Sequence, residues 1–110
     1  RLLSRGLGDV YKRQPQRAVI DAGSKVLTTD LFGLAGHGHI INHAHLTISQ
    51  LSEEHACIVS DVETGLSIGQ KVRIIPNHAC VVSNMVDEVV FIEDHKVLKS
   101  QSVVARGKVL

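Results

Sequence analysis

The stretch His55-Ala56-Cys57-Ile58-Val59-Ser60-Asp61-Val62-Glu63-Thr64-Gly65, followed after a short turn by Lys71-Val72-Arg73-Ile74-Ile75-Pro76, decides the fold class. Residues 55–62 are short, β-branched and apolar, and predict a strand broken at Glu63-Thr64-Gly65. Residues 66–70 predict a turn. In residues 71–75 charged and apolar side chains alternate, the pattern of a half-buried strand, and Pro76 stops it. Working outward, Arg17-Ala18-Val19-Ile20 predicts a short strand ending at Asp21-Ala22-Gly23. Residues 46–51 are strand or irregular. Residues 88–93 and 96–99 are two strands joined by Asp94-His95 at hairpin spacing. Residues 102–105 predict a last strand, ended by Arg106-Gly107. Residues 31–45, with three glycines and four histidines, predict a long loop. Only residues 80–85 have helical character. Short strands at close spacing predict an all-β domain, a small sandwich or barrel-like body with at most one short helix.

Composition bounds what such a body does. The chain has 110 residues, 44% hydrophobic and 21% charged, which is globular rather than disordered. That length supports one modest core and is far short of the roughly 250 residues of a catalytic (β/α)8 barrel. Aromatic residues are 3%, so Val, Ile and Leu must build the core. No apolar run reaches the roughly 20 residues of a membrane-spanning helix, and no signal-peptide pattern opens the chain. Two cysteines in a histidine-rich chain do not form a secreted disulfide scaffold, and a reducing, cytoplasmic setting is expected.

Residues 1–14, RLLSRGLGDVYKRQ, show neither period, and Gly8 to Gln14 resembles the translation of a transposon-end adapter used in sequencing libraries. They are expected to be an assembly scar, or else a disordered arm, with the domain spanning 15–110. The exclusion changes the charge. The whole chain carries 12 Lys+Arg against 11 Asp+Glu; residues 1–14 hold four of those cations and one of those carboxylates, leaving eight against ten in 15–110, a formal −2. No basic stripe with interleaved aromatics remains, which argues against nucleic acid as a partner.

The sharpest chemical constellation is Pro76-Asn77-His78-Ala79-Cys80. In extended backbone, positions two apart project to one side, so an imidazole and a thiol would face one way. Such ligands suit zinc, with open positions left over as a catalytic zinc needs. Spacing alone favours the plainer reading, a buried thiol beside an incidental histidine. His55, beside Glu53 and Glu54, is either a contact near the metal or a surface histidine paired with its neighbours. Cys57 stands in the same H-x-C relation to His55 as Cys80 to His78, so the four could form a closed structural site; alternatively Cys57 is a small inward-facing hydrophobe. His37, His39, His43 and His45 resemble a metal-capture cluster, but ordering a mobile glycine-rich loop costs roughly 1–2 kcal/mol per residue. Gly33-Leu34-Ala35-Gly36-His37-Gly38 has no following helix to make it a phosphate cradle.

Taken together, Asp21-Ala22-Gly23-Ser24-Lys25, Ser52-Glu53-Glu54-His55, the run Gly69-Gln70-Lys71-Val72-Arg73-Ile74-Ile75-Pro76-Asn77-His78-Ala79-Cys80, and Val104-Ala105-Arg106-Gly107-Lys108 resemble the C-terminal domain of the D-serine dehydratase / D-threonine aldolase family, over essentially all of residues 17–110. The resemblance implies a fold-type III, alanine-racemase-like pyridoxal-phosphate enzyme. A (β/α)8 barrel N-terminal to this domain would carry the cofactor lysine, and the full-length protein would be a homodimer acting on β-hydroxy D-amino acids. It implies that His78 and Cys80 hold a metal, zinc in the first instance, with His55 as a further catalytic contact. The metal would assist loss of the β-hydroxyl in a dehydratase, or retro-aldol cleavage in an aldolase. Family aldolases tend to carry Asp where this chain has Cys80, and a thiolate prefers zinc, which tilts the expectation to a dehydratase. None of Lys25, Lys71, Lys96, Lys99 and Lys108 matches the cofactor lysine, so this chain alone is expected to bind no pyridoxal phosphate covalently and to be inactive. Asp21, Ser24 and Lys25 form either a junction with the barrel or a simple strand end with a tight turn at Gly23.

Overall fold

The structure, a computed structural model, describes residues 2–3 and 15–108; of the N-terminal arm only Leu2–Leu3 falls within them, and the expectation for the rest of residues 1–14 lies outside. Strand is the dominant regular structure among the described residues. A three-stranded antiparallel sheet forms the centre, in the order β2 (Arg17–Ile20), β5 (Ala56–Val59), β4 (Thr47–Leu51). Arg17 pairs with Val59 and Ile20 with Ala56 on one side of β5; Thr47 pairs with Val59 on the other, with an irregularity between Ile48 and Gln50. The pleat of β5 turns Ala56 and Ile58 into the core and leaves Cys57 and Val59 half-buried. Cys57 is therefore not the inward-facing hydrophobe that one alternative expected.

Ile20, Ile40, Ile48 and Ile58 are the largest fully buried side chains, packed with Val72, Leu27, Leu46 and two alanines. Each such isoleucine stabilises the fold by roughly 1.5–3 kcal/mol relative to exposure. The core is aliphatic, as the scarcity of aromatics requires, and Phe32 and Phe91 are both exposed.

The run 71–75 is not one strand. β6 (Lys71–Val72) pairs with β1 (Leu2–Leu3), whereas β7 (Ile74–Ile75) pairs with β3 (His39–Ile40) inside the predicted loop. Arg73 lies between, and its carbonyl accepts the Ile41 N–H at 2.9 Å. A Cβ at Gly38 would lie 2.9 Å from Ile74 Cγ2 and 3.1 Å from the Ile75 carbonyl, so only glycine lets the loop approach β7 this closely.

Two one-turn helices replace the single one expected. α1 (Ser24–Leu27) follows the DAG turn, and its first amides are satisfied from elsewhere: Ser24 N–H donates to the Ser52 carbonyl at 2.8 Å and Lys25 N–H to that of Glu53 at 3.1 Å. Four residues cannot nucleate a helix by propensity, so this turn exists because the β4–β5 connection caps it. A Cβ on Gly23 would collide with the Ser52 and Glu53 backbone. α2 (Ala79–Ser83) starts within the PNHAC run. The chain closes with a hairpin, β8 (Glu88–Glu93) and β9 (Lys96–Ser102), turning at Asp94 and His95 with φ of 49° and 64°. β9 absorbs the start of the predicted last strand, because Ser102 pairs with Glu88; residues 103–107 turn instead. Arg106 pairs with Asp87 at 3.0 Å and the Gly107 N–H donates to Asn84 Oδ1, which ties the ARG segment to the end of α2. No described helix is long and apolar enough to cross a membrane.

Candidate metal site

β7 ends at Ile75, Pro76 turns the chain, and Asn77 pins the turn in place. The Asn77 Nδ2 amide donates to the Gly36 carbonyl at 2.8 Å, with those of Leu31 and Asp30 at 3.2 and 3.3 Å. The 30–36 loop is thereby drawn over the next residue. That residue is His78, in extended conformation at the N-terminus of α2, where the backbone turns helical. Cys80 thus sits in the first turn of a helix, and the expectation of two side chains sharing one side of an extended strand does not apply. Cys80 is an exposed free thiol and His78 is half-buried, so neither is sealed in apolar packing.

The 30–36 loop supplies a group the sequence did not reveal. Asp30 Oδ2 lies 2.7 Å from His78 Nδ1. Its other oxygen, Oδ1, accepts the Phe32 N–H at 2.9 Å, an Asx-type turn that supports Phe32 at a φ of 50°. The hydrogen bond to His78 first, and the Phe32 amide second, hold the Asp30 carboxyl below its ordinary value. A carboxylate accepts only, so Nδ1 carries the proton; in the neutral imidazole that leaves the lone pair on Nε2, the tautomer a metal ligand needs. The Phe32 ring, 66% exposed as a residue, leans on the imidazole at a centroid distance of 5.0 Å. Leu31, Leu34 and Ile75 are exposed apolar side chains as well. A hollow of about 340 Å³ opens next to Pro76 and Asn77, lined by Leu34, His39 and Thr47 among others, with neither His78 nor Cys80 in its wall.

The donor set fits a zinc ion only in part. One imidazole with its second nitrogen fixed by a carboxylate and one accessible thiol are apt zinc ligands, yet no group of three or more His, Cys, Asp or Glu gathers among the described residues in a way that could hold a metal. The four-residue centre of His55, Cys57, His78 and Cys80 is therefore not formed. His55 and Cys57 line a separate hollow of about 190 Å³ against Val19 and Gln50. Glu53 and Glu54 pair with Lys25, at 3.7 and 2.7 Å. Nor do the loop histidines cluster: His39 pairs in β3, the His43 and His45 rings lie 6.0 Å apart, and His45 Nε2 meets the Thr64 carbonyl. Asp30 carried no local signal in the sequence, since 48 positions separate it from His78 and only tertiary folding joins them. The role of Asn77 was legible only as a motif letter.

The sequence profile described as "Putative serine dehydratase domain" matches residues 5–92. An uncharacterized protein of Mycobacterium tuberculosis strain H37Rv is 41% identical over 95 residues, covering 84% of this chain and 71% of that protein. The 3-hydroxy-D-aspartate aldolase of Paracoccus denitrificans is 30% identical over 95 residues, covering 86% of this chain but 23% of the enzyme. Among solved structures, the D-threonine aldolase of Filomicrobium marinum superposes with a TM-score of 0.82 at 25% identity, over 99% of this chain and 28% of that one. The D-threo-3-hydroxyaspartate dehydratase of Delftia sp. HT23, at 18% identity and a TM-score of 0.74, shares the fold over 93% of this chain and 31% of its own. The chain thus spans less than a third of the named enzymes it matches. The motif order, the strand topology and these matches agree, and the chain belongs to the serine dehydratase domain family.

Proposed function

We propose that this chain is the metal-binding β domain of a pyridoxal-phosphate-dependent lyase that acts on β-hydroxy D-amino acids in the cytoplasm, with D-serine dehydratase chemistry the favoured activity. His78 and Cys80 are its zinc ligands, and the remaining coordination positions are left for water or substrate. The observation that carries this is the 2.7 Å contact between Asp30 and His78, which engages Nδ1 and leaves Nε2 for a metal, with an accessible thiol two residues along the chain. A further support comes from the dehydratase fold relatives: one was solved with a histidine replaced by alanine, another with a cysteine replaced by alanine in a metal-free form, and those two residues stand two positions apart as His78 and Cys80 do.

When bound, zinc supplies a Lewis acid for the charge that develops on a departing β-hydroxyl. Pyridoxal phosphate, carried by an N-terminal barrel, supplies the electron sink at the α-carbon. This chain's residues supply the setting. Asp30 fixes the tautomer and rotation of His78. Asn77 holds the 30–36 loop over it, and Phe32 restricts the approach of water on one side. The exposed apolar side chains of Leu31, Phe32, Leu34 and Ile75 meet the barrel and close the site. His55, in its own hollow, contacts the barrel or substrate rather than the metal. The longer protein works as a homodimer, and the present chain alone neither holds pyridoxal phosphate covalently as a cofactor nor turns over substrate.

Calorimetric zinc titration of this chain tests the ligand assignment: one site per chain is expected, lost in His78→Ala and in Cys80→Ala, and unchanged binding in both variants rejects it. A second reading, retro-aldol cleavage, is favoured by the 30% identity to an aldolase. Pyruvate and ammonia from D-serine support the dehydratase for the barrel-bearing protein; glycine and acetaldehyde from D-threonine support the aldolase.

A further inference from the structure

Lys71, Arg73, His43 and His95 converge from three elements on one cleft of about 300 Å³. Val72 is buried, so Lys71 and Arg73 on either side of it turn outward together. The loop at 41–43 forms a second wall and the tip of the β8–β9 hairpin a third, with Ile41, Asn42 and Val72 completing the lining. Among the described residues no carboxylate lines the cleft and none pairs with Lys71 or Arg73, although residues 15–110 carry a net −2.

The hydrogen bonding inside the cleft sets its preference. Arg73 Nη2 lies 3.3 Å from His95 Nδ1. A guanidinium donates only, so Nδ1 accepts and the His95 proton sits on Nε2. Among the described residues, the other Arg73 N–H groups, the Lys71 ammonium, His95 Nε2–H and the Asn42 side-chain amide remain unengaged donors. A guanidinium fork beside an ammonium matches a tetrahedral oxyanion, and the volume is at the small end for organic ligands.

We propose that this cleft binds a small phosphate-type oxyanion, its charged head on Arg73, Lys71 and His95 and any apolar body against Ile41. It shares no residue with the His78 site, so neither assignment depends on the other. Titration of the 15N-labelled chain with inorganic phosphate at low ionic strength tests it. Saturable shifts are expected at Lys71, Arg73 and His95, with acetate binding more weakly. Arg73→Gln should weaken phosphate by about tenfold or more, and Lys71→Gln by several-fold. Lys96→Gln, outside the cleft, should bind as the parent does, and the Ile48 and Ile58 amides report that each variant is folded. The proposal is overturned by no saturable shift up to about 20 mM phosphate, where screening is still moderate. It is equally overturned by parent-like binding in folded Lys71→Gln or Arg73→Gln, or by acetate binding as tightly as phosphate.

Discussion

Asp30→Asn isolates the contribution of a residue that touches no metal in the proposed site. Asp30 uses both oxygens, Oδ2 for His78 Nδ1–H and Oδ1 for the Phe32 N–H. An asparagine of the same shape can serve only one. If its oxygen keeps Phe32, its amide faces Nδ1 as a donor, the imidazole proton moves to Nε2, and the lone pair that binds zinc is lost. If the amide turns over, Nδ1–H keeps its acceptor but the Phe32 turn, at a φ of 50°, loses its support. Replacement of such an outer carboxylate typically weakens a metal by about 10–100-fold, which is the loss expected here. The Asp30 and His78 side chains remain 37% and 32% exposed, so thermal stability without metal should change little. Zinc competition titration gives the affinity and 15N spectra of the imidazole give the tautomer. Parent-like zinc affinity in Asp30→Asn, with the proton still on Nδ1, would refute the reasoning.

Other perturbations address the scaffold. Gly23→Ala should destabilise the domain by about 1–3 kcal/mol, since the new methyl meets the Ser52 and Glu53 backbone; urea denaturation measures it. Ile58→Ala, at a fully buried position in the central strand, should cost about 2–5 kcal/mol, whereas Leu98→Ala on the exposed hairpin should stay within about 0.5 kcal/mol. Glu54 holds the Lys25 ammonium above its usual value of 10.5, and Lys25 holds the Glu54 carboxyl below 4.5. The Glu54 contribution is therefore present above pH 4.5 and fades as pH falls through its lowered value. The Lys25 contribution is present below pH 10.5 and fades as pH rises through its raised one. Lys25→Met should be slightly less stable than the parent near neutrality, and the gap should narrow at both extremes and in about 1 M salt.

The strands came through in the sequence where local pattern and tertiary partner agree. Arg17–Ile20 has the predicted bounds, and Asp94-His95 makes the predicted two-residue hairpin turn. Pattern failed where one segment serves two partners, as 71–75 does by splitting between β1 and β3, because alternation is blind to which strand lies alongside. It failed again at α1, whose four residues are helical because Ser52 and Glu53 carbonyls receive its amides. In the candidate site, His78 and Cys80 stood out as chemical types, but the helical turn between them and the carboxylate behind the imidazole depend on chain closure over 48 positions. The Lys71, Arg73 and His95 cleft was hidden for the same reason, since His95 on the hairpin and His43 in the loop reach the Lys71–Arg73 segment only through tertiary folding.

Zinc K-edge X-ray absorption on the reconstituted chain bears most directly on His78 and Cys80. We predict one sulfur near 2.3 Å and at least one imidazole nitrogen near 2.0–2.1 Å, with light atoms from solvent filling the shell. Cys80→Ala should remove the sulfur scattering and His78→Ala the imidazole signature. A shell without sulfur, or one that both substitutions leave intact, would contradict the assignment.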